Sequence, residues 1–114
     1  MLKKTNTLKL LLSLTLTTAS LATPLFAATG KEIAFDRKKG NCLACHAMDD
    51  GDMPGNIGPP LVAMTARFPD RAILKAQIFD ATKRNPISIM PPFGKHEILN
   101  DAELEKIIDY LYTL

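Results

Sequence analysis

The sequence is poor in the side chains that build or staple a small core. It has no tryptophan, 6% aromatic residues, two cysteines and two histidines in 114 residues, and it contains no internal repeat. A chain of this length forms one domain with a thin apolar core, and small domains of this kind usually need a disulfide, a metal or a cofactor. We therefore expect something other than side chains to fill the middle of the fold.

The N-terminus has the pattern of a secretory signal peptide. Three lysines in residues 3–9 precede a leucine-rich run at 10–16, and Pro24 breaks the run before the small residues Ala27 and Ala28. The apolar stretch is short and rich in Ser and Thr, which favours a cleaved signal over a membrane span. We predict that residues 1–27 are removed and that residues 28–114 form a single exported domain; an uncleaved membrane anchor is the alternative.

The charge of the predicted domain is close to neutral. Three of the 14 Lys+Arg and none of the 12 Asp+Glu lie in residues 1–27, which leaves a net charge of −1 on residues 28–114. Nucleic-acid-binding proteins carry a basic face. The sequence therefore predicts no nucleic-acid partner, and it predicts no stable membrane insertion once the signal is removed.

The first helix is predicted from a capping box. Thr29 and Glu32 have the spacing with which two side chains satisfy the free backbone donors of a helix start. We expect this helix to carry Ile33 and Phe35 and to end near Gly40 in a left-handed cap, with the basic residues 37–39 in its last turn.

Two more helices follow from apolar spacing. One is expected to begin near Pro69 and Asp70 and to end before Asn85, and the last is expected to begin after Asn100 with Glu103 completing a capping box. Their predicted core residues recur at helical spacing: Leu74, Ile78 and Ala81 in the first, and Leu104, Ile107, Ile108 and Leu111 in the second.

Two long loops separate these helices. Residues 47–60 contain three Gly, three Pro and three Asp with little apolar pattern, and residues 86–94 are proline-rich but apolar. The aspartates lack the spacing of a calcium loop, so we interpret them as solvated turn residues. Loops of such length in a small domain are usually functional or held in place by something else.

Both cysteines lie in the stretch GNCLACH, at Cys42 and Cys45, and His46 follows directly. A zinc site needs four ligands, a redox pair needs a βαβ context, and a disulfide between these two cysteines would close a very small loop. Cys-x-x-Cys-His is also the attachment motif of haem c, in which two thiols add to the porphyrin vinyl groups and the histidine binds iron. We predict one covalent haem c, which would also supply the missing core.

With this motif, the chain resembles the class I cytochrome c family over essentially all of residues 28–114. The segment Gly58-Pro59-Pro60-Leu61 matches the Gly-Pro-x-Leu element of the family. The resemblance implies an all-α class I cytochrome c fold, with short helices and long loops wrapped around the haem. It implies that the Pro59 carbonyl accepts a hydrogen bond from His46, that Leu61 contacts the haem, and that Phe35 meets Tyr110 where the terminal helices cross.

The sixth iron ligand is predicted to be Met90, which precedes Pro91 as the ligand methionine does in the family. Met90 as an ordinary core residue is the structural alternative. The remaining candidates are less suitable because of their position or their polar surroundings; they are Met48, Met53, Met64 and His96.

A narrower resemblance is to the SoxX family, the small mono-haem subunits of SoxAX cytochrome complexes. It rests on residues 39–47, 55–61 and 90–96. It implies a periplasmic heterodimer with a SoxA-like haem subunit, which joins thiosulfate to a cysteine of the SoxYZ carrier while this chain takes up electrons for a downstream acceptor. Such a complex is an L-cysteine S-thiosulfotransferase, and we expect this chain to contribute no catalytic residue.

Two other functions remain open at the level of sequence. A free mono-haem shuttle to a terminal oxidase or another redox partner would need the same haem. A haem enzyme or gas sensor would need an open sixth position at the iron, which Met90 argues against.

Overall fold

The computed structural model describes residues 26–114, and this part of the chain is helical with no strand. The predicted signal peptide lies almost entirely outside the described residues. Four α-helices and two 3₁₀ turns follow one another along the chain: α1 (Gly30–Phe35), a 3₁₀ turn (Cys42–Ala44), α2 (Met64–Arg67), α3 (Arg71–Phe79), a 3₁₀ turn (Ala81–Lys83) and α4 (Asp101–Leu111). Within residues 26–114 none of the helices is long and apolar enough to cross a bilayer.

The start of α1 is as predicted, but its end is not. Thr29 and Glu32 form the reciprocal capping box. The helix then ends at Phe35, because Asp36 adopts an extended conformation and its carboxylate accepts a hydrogen bond from Lys38 N at 2.8 Å. Short polar side chains compete with helices in this way. The left-handed residue is Asn41, with φ 46°, and the prediction of a left-handed cap at Gly40 was wrong.

Helix α4 forms the centre of the core. Its predicted apolar face is buried, with Leu104 and Ile107 each 1% exposed and Ile108 fully buried, and α4 packs against both α1 and α3. At the crossing with α1, Gly30 lies against the backbone of Lys106, so closely that a Cβ would collide with its carbonyl oxygen. The close approach explains why glycine suits this position.

The predicted aromatic contact between the terminal helices is confirmed. The rings of Phe35 and Tyr110 meet edge to face with centroids 6.3 Å apart. The basic residues after α1 lie in a turn rather than in its last helical turn, and Lys39 forms an ion pair with Glu103 of α4 at 2.8 Å.

The middle helix is shorter than its apolar pattern suggested. Asp70 caps α3 as predicted, but the helix ends at Phe79 and a separate 3₁₀ turn follows. Asp80 causes the break because its carboxylate accepts a hydrogen bond from Thr82 N and begins the new turn. The predicted face is nevertheless buried, including Ala81 beyond the break.

Candidate haem site

The two cysteines lie on one 3₁₀ turn. The turn follows the left-handed Asn41, and the carbonyl of Cys42 accepts hydrogen bonds from the backbone N–H of Cys45 at 3.1 Å and of His46 at 2.9 Å. Both cysteines are half-buried. The turn thus presents two thiols and an imidazole within one compact segment.

The first long loop folds back onto this turn. Its backbone N–H groups donate to the turn at two points, from Gly55 to Leu43 O at 2.9 Å and from Gly58 to Cys45 O at 2.8 Å. Lys31 reaches the same loop from α1, with its Nζ 2.8 Å from Asp49 Oδ2 and 2.6 Å from Asp50 Oδ1. These two aspartates, interpreted from sequence as solvated turn residues, therefore tie the loop to α1.

The loop also orients the histidine. His46 Nδ1 lies 2.7 Å from the carbonyl oxygen of Pro59. A carbonyl can only accept a hydrogen bond, so Nδ1 carries the proton and Nε2 keeps its lone pair for a metal. Such a bond fixes the ring orientation and makes the imidazole a better electron donor. The contact that the family resemblance implied for Pro59 is present in the structure.

Gly58 has a role that sequence reasoning missed. A Cβ at this position would lie 2.5 Å from Nδ1 and 2.7 Å from Nε2 of His46, so the imidazole ring packs flat against the glycine backbone. Its φ is not positive, so the requirement for glycine is space and not backbone conformation. The proline that follows marked a turn in the sequence, but the contact depends on the tertiary fold.

The turn, the loop and the core helices surround a cavity of about 810 Å³. This volume lies within the range of about 300–1,000 Å³ typical of cofactor sites. The predicted site residues all line it, namely Cys42, Cys45, His46, Pro59, Leu61 and Met90. Their assignment as attachment points, ligands and haem contacts remains a prediction that the cavity geometry allows.

The second loop supplies Met90, which is half-buried at the cavity wall. Among its predicted rivals, Met53 is 94% exposed, His96 is exposed and Met48 is buried away from the cavity lining. Met64 does line the cavity, but its sulfur accepts a hydrogen bond from Arg67 Nη1 at 3.6 Å. The structure therefore reduces the methionine candidates at the cavity to Met90 and Met64.

The chemistry of the cavity wall fits a covalent haem. Burial raises the pKa of the Cys42 thiol to about 11, which shows that the cavity wall disfavours a charged sulfur. A thioether sulfur is uncharged, so its burial on this apolar wall would cost less free energy than burial of a thiolate. No cluster of three or more His, Cys, Asp and Glu residues that could hold a metal ion occurs in residues 26–114.

The charged side chains at the cavity fit the same group. No Asp or Glu lines the cavity, whereas Arg67 and Arg84 do. Two guanidinium groups suit the two carboxylates of a haem, since arginine binds carboxylates through paired hydrogen bonds. Sequence reasoning did not identify these arginines, because nothing in their spacing relates them to the Cys-x-x-Cys-His motif.

Comparisons with known proteins agree with this geometry. Residues 27–111 match the family described as "Cytochrome C oxidase, cbb3-type, subunit III". A chain of the crystal structure of SoxXA from P. pantotrophus superposes with a TM-score of 0.66 and 27% sequence identity, covering 74% of this chain and 77% of that chain. An uncharacterized lipoprotein of Aquifex aeolicus (strain VF5) is 37% identical over 76 residues, which are 66% of this chain and 37% of that protein. The chain thus spans little more than a third of that curated relative.

Proposed function

This chain belongs to the cytochrome c family described as "Cytochrome C oxidase, cbb3-type, subunit III", and we propose that it is the electron-accepting subunit of a SoxAX-type complex. It is a SoxX-like mono-haem cytochrome with the class I cytochrome c fold and one covalent haem c, and it acts as an electron-transfer haem subunit. The proposed complex joins thiosulfate to a cysteine of a SoxYZ-type carrier. The observation that carries the proposal is the likeness to a chain of the SoxXA structure over 77% of that chain.

The reaction assigned to the complex releases electrons that a subunit of this kind can accept. One S–S bond forms between the carrier thiol and the outer sulfur of thiosulfate, one S–H bond breaks, and one proton and two electrons leave. Both cysteines of this chain are assigned to haem attachment, so the chain has no further thiol to act as nucleophile. The thiosulfate site is therefore proposed to lie in the SoxA-like partner, while this chain receives the two electrons one at a time and passes each to a downstream acceptor.

Electron transfer would depend on the haem, on the side chains that bind its iron and on the lining of the cavity. A haem c bound in this cavity would supply the Fe(III)/Fe(II) couple. His46, held through Pro59 O, would bind the iron through Nε2, and Met90 is proposed to supply a second protein ligand. The largely apolar lining would control the access of water to the haem and thereby its potential.

The mouth of the cavity offers a contact surface for the partner. Three isoleucines, Ile57, Ile87 and Ile89, line the cavity and would border a haem bound in it. An apolar patch at a cofactor's edge brings a partner close without burying unpaired charge. We infer that the SoxA-like subunit docks over these isoleucines.

The docking proposal is tested by co-expression with a SoxA-like haem subunit, followed by affinity measurement. Ile87→Lys should weaken the complex at least about tenfold, because it places a charge in an apolar contact. Ile73→Lys is the matched control, since Ile73 is 51% exposed on α3 and does not line the cavity. Equal effects of the two substitutions would remove the isoleucine surface from the proposal.

The functional proposal is tested by thiosulfate-dependent modification of the carrier with each subunit omitted in turn. Neither subunit alone should sustain modification, and the pair should do so together with reduction of the haem in this chain. Full modification in the absence of this chain, with electron delivery to an oxidase retained, would favour the free electron shuttle instead. Modification by this chain alone would make it an enzyme in its own right.

We also propose that the chain is exported to the periplasm and that residues 1–27 are its removed signal. Support comes from the charged and leucine-rich N-terminus and from the likeness to a lipoprotein. Mass spectrometry of the exported protein should give the chain without residues 1–27 or 1–28 plus one haem that acidic acetone does not extract. Retention of the whole N-terminus would favour the membrane-anchor alternative.

A further inference from the structure

Asp80 is the buried charged side chain of the described core. It is 3% exposed, whereas the other carboxylates of residues 26–114 are half-buried or exposed. A buried carboxylate costs free energy unless hydrogen bonds or an opposite charge compensate it. Asp80 lies between α3 and the following 3₁₀ turn, outside the Cys-x-x-Cys-His segment. Because it is buried, it does not contribute to the solvated surface, and we expect a structural role.

One oxygen of this carboxylate is satisfied locally. Oδ1 of Asp80 accepts hydrogen bonds from Thr82 N at 3.1 Å and from Thr82 Oγ1. These bonds, together with nearby Lys95, hold the pKa of Asp80 below its usual range. The group is therefore an anion at neutral pH.

The other oxygen faces the second long loop. Oδ2 is buried without a hydrogen bond from residues 26–114, and Lys95 Nζ lies 3.3 Å from it as an ion-pair partner. Lys95 follows Met90 by five positions and is itself more than half exposed. The buried anion thus attracts a cation that belongs to the segment carrying the proposed sixth ligand.

Backbone contacts join the same two segments. The carbonyl oxygen of Phe79 accepts hydrogen bonds from Gly94 N and Lys95 N, both at 3.2 Å. The ring of Phe79 packs on Gly94 so closely that a Cβ there would collide with it. The end of α3 therefore holds the residues directly after Phe93 through two backbone bonds, one ring contact and one ion pair.

A shift at this anchor would be transmitted to Met90. Pro91 and Pro92 separate Met90 from Phe93, and their rings fix φ. A segment with two fixed angles cannot absorb a displacement as a flexible loop would. The position of the Met90 sulfur then depends on where residues 93–95 are held.

We propose that Asp80 and Lys95 are positioning residues that hold the Met90 loop against the haem cavity. The inference rests on Met90 as sixth ligand, which is part of the proposed site. Its consequence is that loss of either charge increases the rate at which the Met90 sulfur leaves the iron, although neither side chain touches the haem.

The test uses the haem-loaded protein and neutral imidazole as the entering ligand. Imidazole binding is limited by methionine release, so the binding rate measures how firmly Met90 is held. Asp80→Asn, which keeps an oxygen acceptor for Thr82, and Lys95→Met should each increase the rate at least about tenfold. Lys95→Arg keeps the positive charge and should bind imidazole at the wild-type rate. The double variant Asp80→Asn/Lys95→Met should bind imidazole no faster than the faster single variant, because both substitutions remove the same ion pair.

Two further measurements separate positioning from a simple field effect. A field effect alone would shift the midpoint potential in opposite directions, because Asp80→Asn removes a negative charge and Lys95→Met removes a positive one. Positioning predicts faster imidazole binding in both variants and faster amide exchange at Gly94 and Lys95. Lys75→Met is the control for charge, since Lys75 pairs with Asp101 and Glu105 away from this loop.

The outcomes distinguish the positioning role of Asp80 and Lys95 from the assignment of Met90 as ligand. A methionine–iron absorption band in the wild type together with unchanged imidazole rates in all variants would overturn the positioning role and leave Met90 as ligand. The absence of that band in the wild type would overturn both the ligand assignment and this inference. Equal acceleration by Lys75→Met would show an effect of net charge and would also overturn it.

Discussion

Replacing Gly58 by alanine tests whether the glycine keeps the proximal histidine in place. The added Cβ would lie 2.2 Å from His46 Cε1, about 1.2 Å closer than the 3.4 Å at which ordinary van der Waals contact begins. Gly58 does not have a positive φ, so the alanine introduces no backbone strain of its own. The imidazole ring or the loop has to move by about that distance.

The displacement exceeds what the histidine hydrogen bond can tolerate. The bond from His46 Nδ1 to Pro59 O is 2.7 Å long, and N–H···O bonds weaken beyond about 3.2 Å. Overpacking typically costs about 1–3 kcal/mol and a lost hydrogen bond about 0.5–1.5 kcal/mol. We therefore expect the free energy of unfolding to fall by about 1.5–4.5 kcal/mol.

The change should also appear in the redox chemistry. The Nδ1–H···O bond increases electron donation by the imidazole and thereby favours Fe(III). Its loss in Gly58→Ala should raise the midpoint potential of the haem. Denaturant unfolding of the oxidised protein and a spectroelectrochemical titration measure the two effects.

Gly51→Ala is the matched control in the same loop. Its Cβ would lie 2.4 Å from Cδ1 at the end of the flexible Leu43 side chain, which can move aside, and 3.1 Å from the edge of the Phe35 ring. His46 is not among its nearest contacts. We expect a smaller loss of stability and an unchanged potential. If Gly58→Ala keeps both the wild-type potential and the wild-type stability, the inferred packing of the glycine against the ring is wrong.

Three further predictions concern the distal ligand, the core and the response to acid. Met90→Ala should keep its helical circular dichroism, lose the methionine–iron absorption band and bind added imidazole. Its midpoint potential should fall, because the thioether ligand favours Fe(II). Met64→Leu should change none of these properties, and the reverse result would make Met64 the ligand. Ile108→Ala should lower the free energy of unfolding by about 2–5 kcal/mol in denaturant titrations, because Ile108 is fully buried on α4, and a loss below about 1 kcal/mol would contradict its place in the core. The ion pair with Lys39 and the hydrogen bond from Asn100 N hold the pKa of Glu103 below its usual range. The folded state therefore gains stability from ionised Glu103 above the ordinary glutamate pKa of about 4.3. That stability is lost as the pH falls through the lower pKa of the folded state. Unfolding titrations between about pH 5 and about pH 2 should show this loss, and Lys39→Met should make it shallower.

The elements that could be predicted are those specified by neighbouring residues. The capping boxes at Thr29 and Asn100 depend on side chains three positions apart, and the buried face of α4 depends on a repeat of three and four. The Cys-x-x-Cys-His motif is local as well, because two thiols and an imidazole need only one short turn to meet one haem. These features need no knowledge of the rest of the fold.

The helix ends were harder to predict because weak local preferences compete there. Asp36 and Asp80 each stop a helix by accepting hydrogen bonds from backbone N–H groups two residues onward. The apolar pattern of α3 continues past Asp80 to Ala81, so it gives no sign of that break. The short helix α2 was missed because four residues show no period, and the left-handed Ala63 that precedes it carries no side-chain cap.

Contacts between distant segments depend on the packed chain. His46 Nδ1 and Pro59 O lie 2.7 Å apart although the two residues are thirteen positions apart in the sequence. Asp80 and Lys95 form an ion pair across fifteen positions. Met64 comes to the cavity from helix α2 and Met90 from the second long loop. The residue types of the haem site follow from local chemistry in the sequence. Long-range packing, which no local pattern encodes, determines the space around His46, the methionines that reach the cavity and the anchor of the Met90 loop.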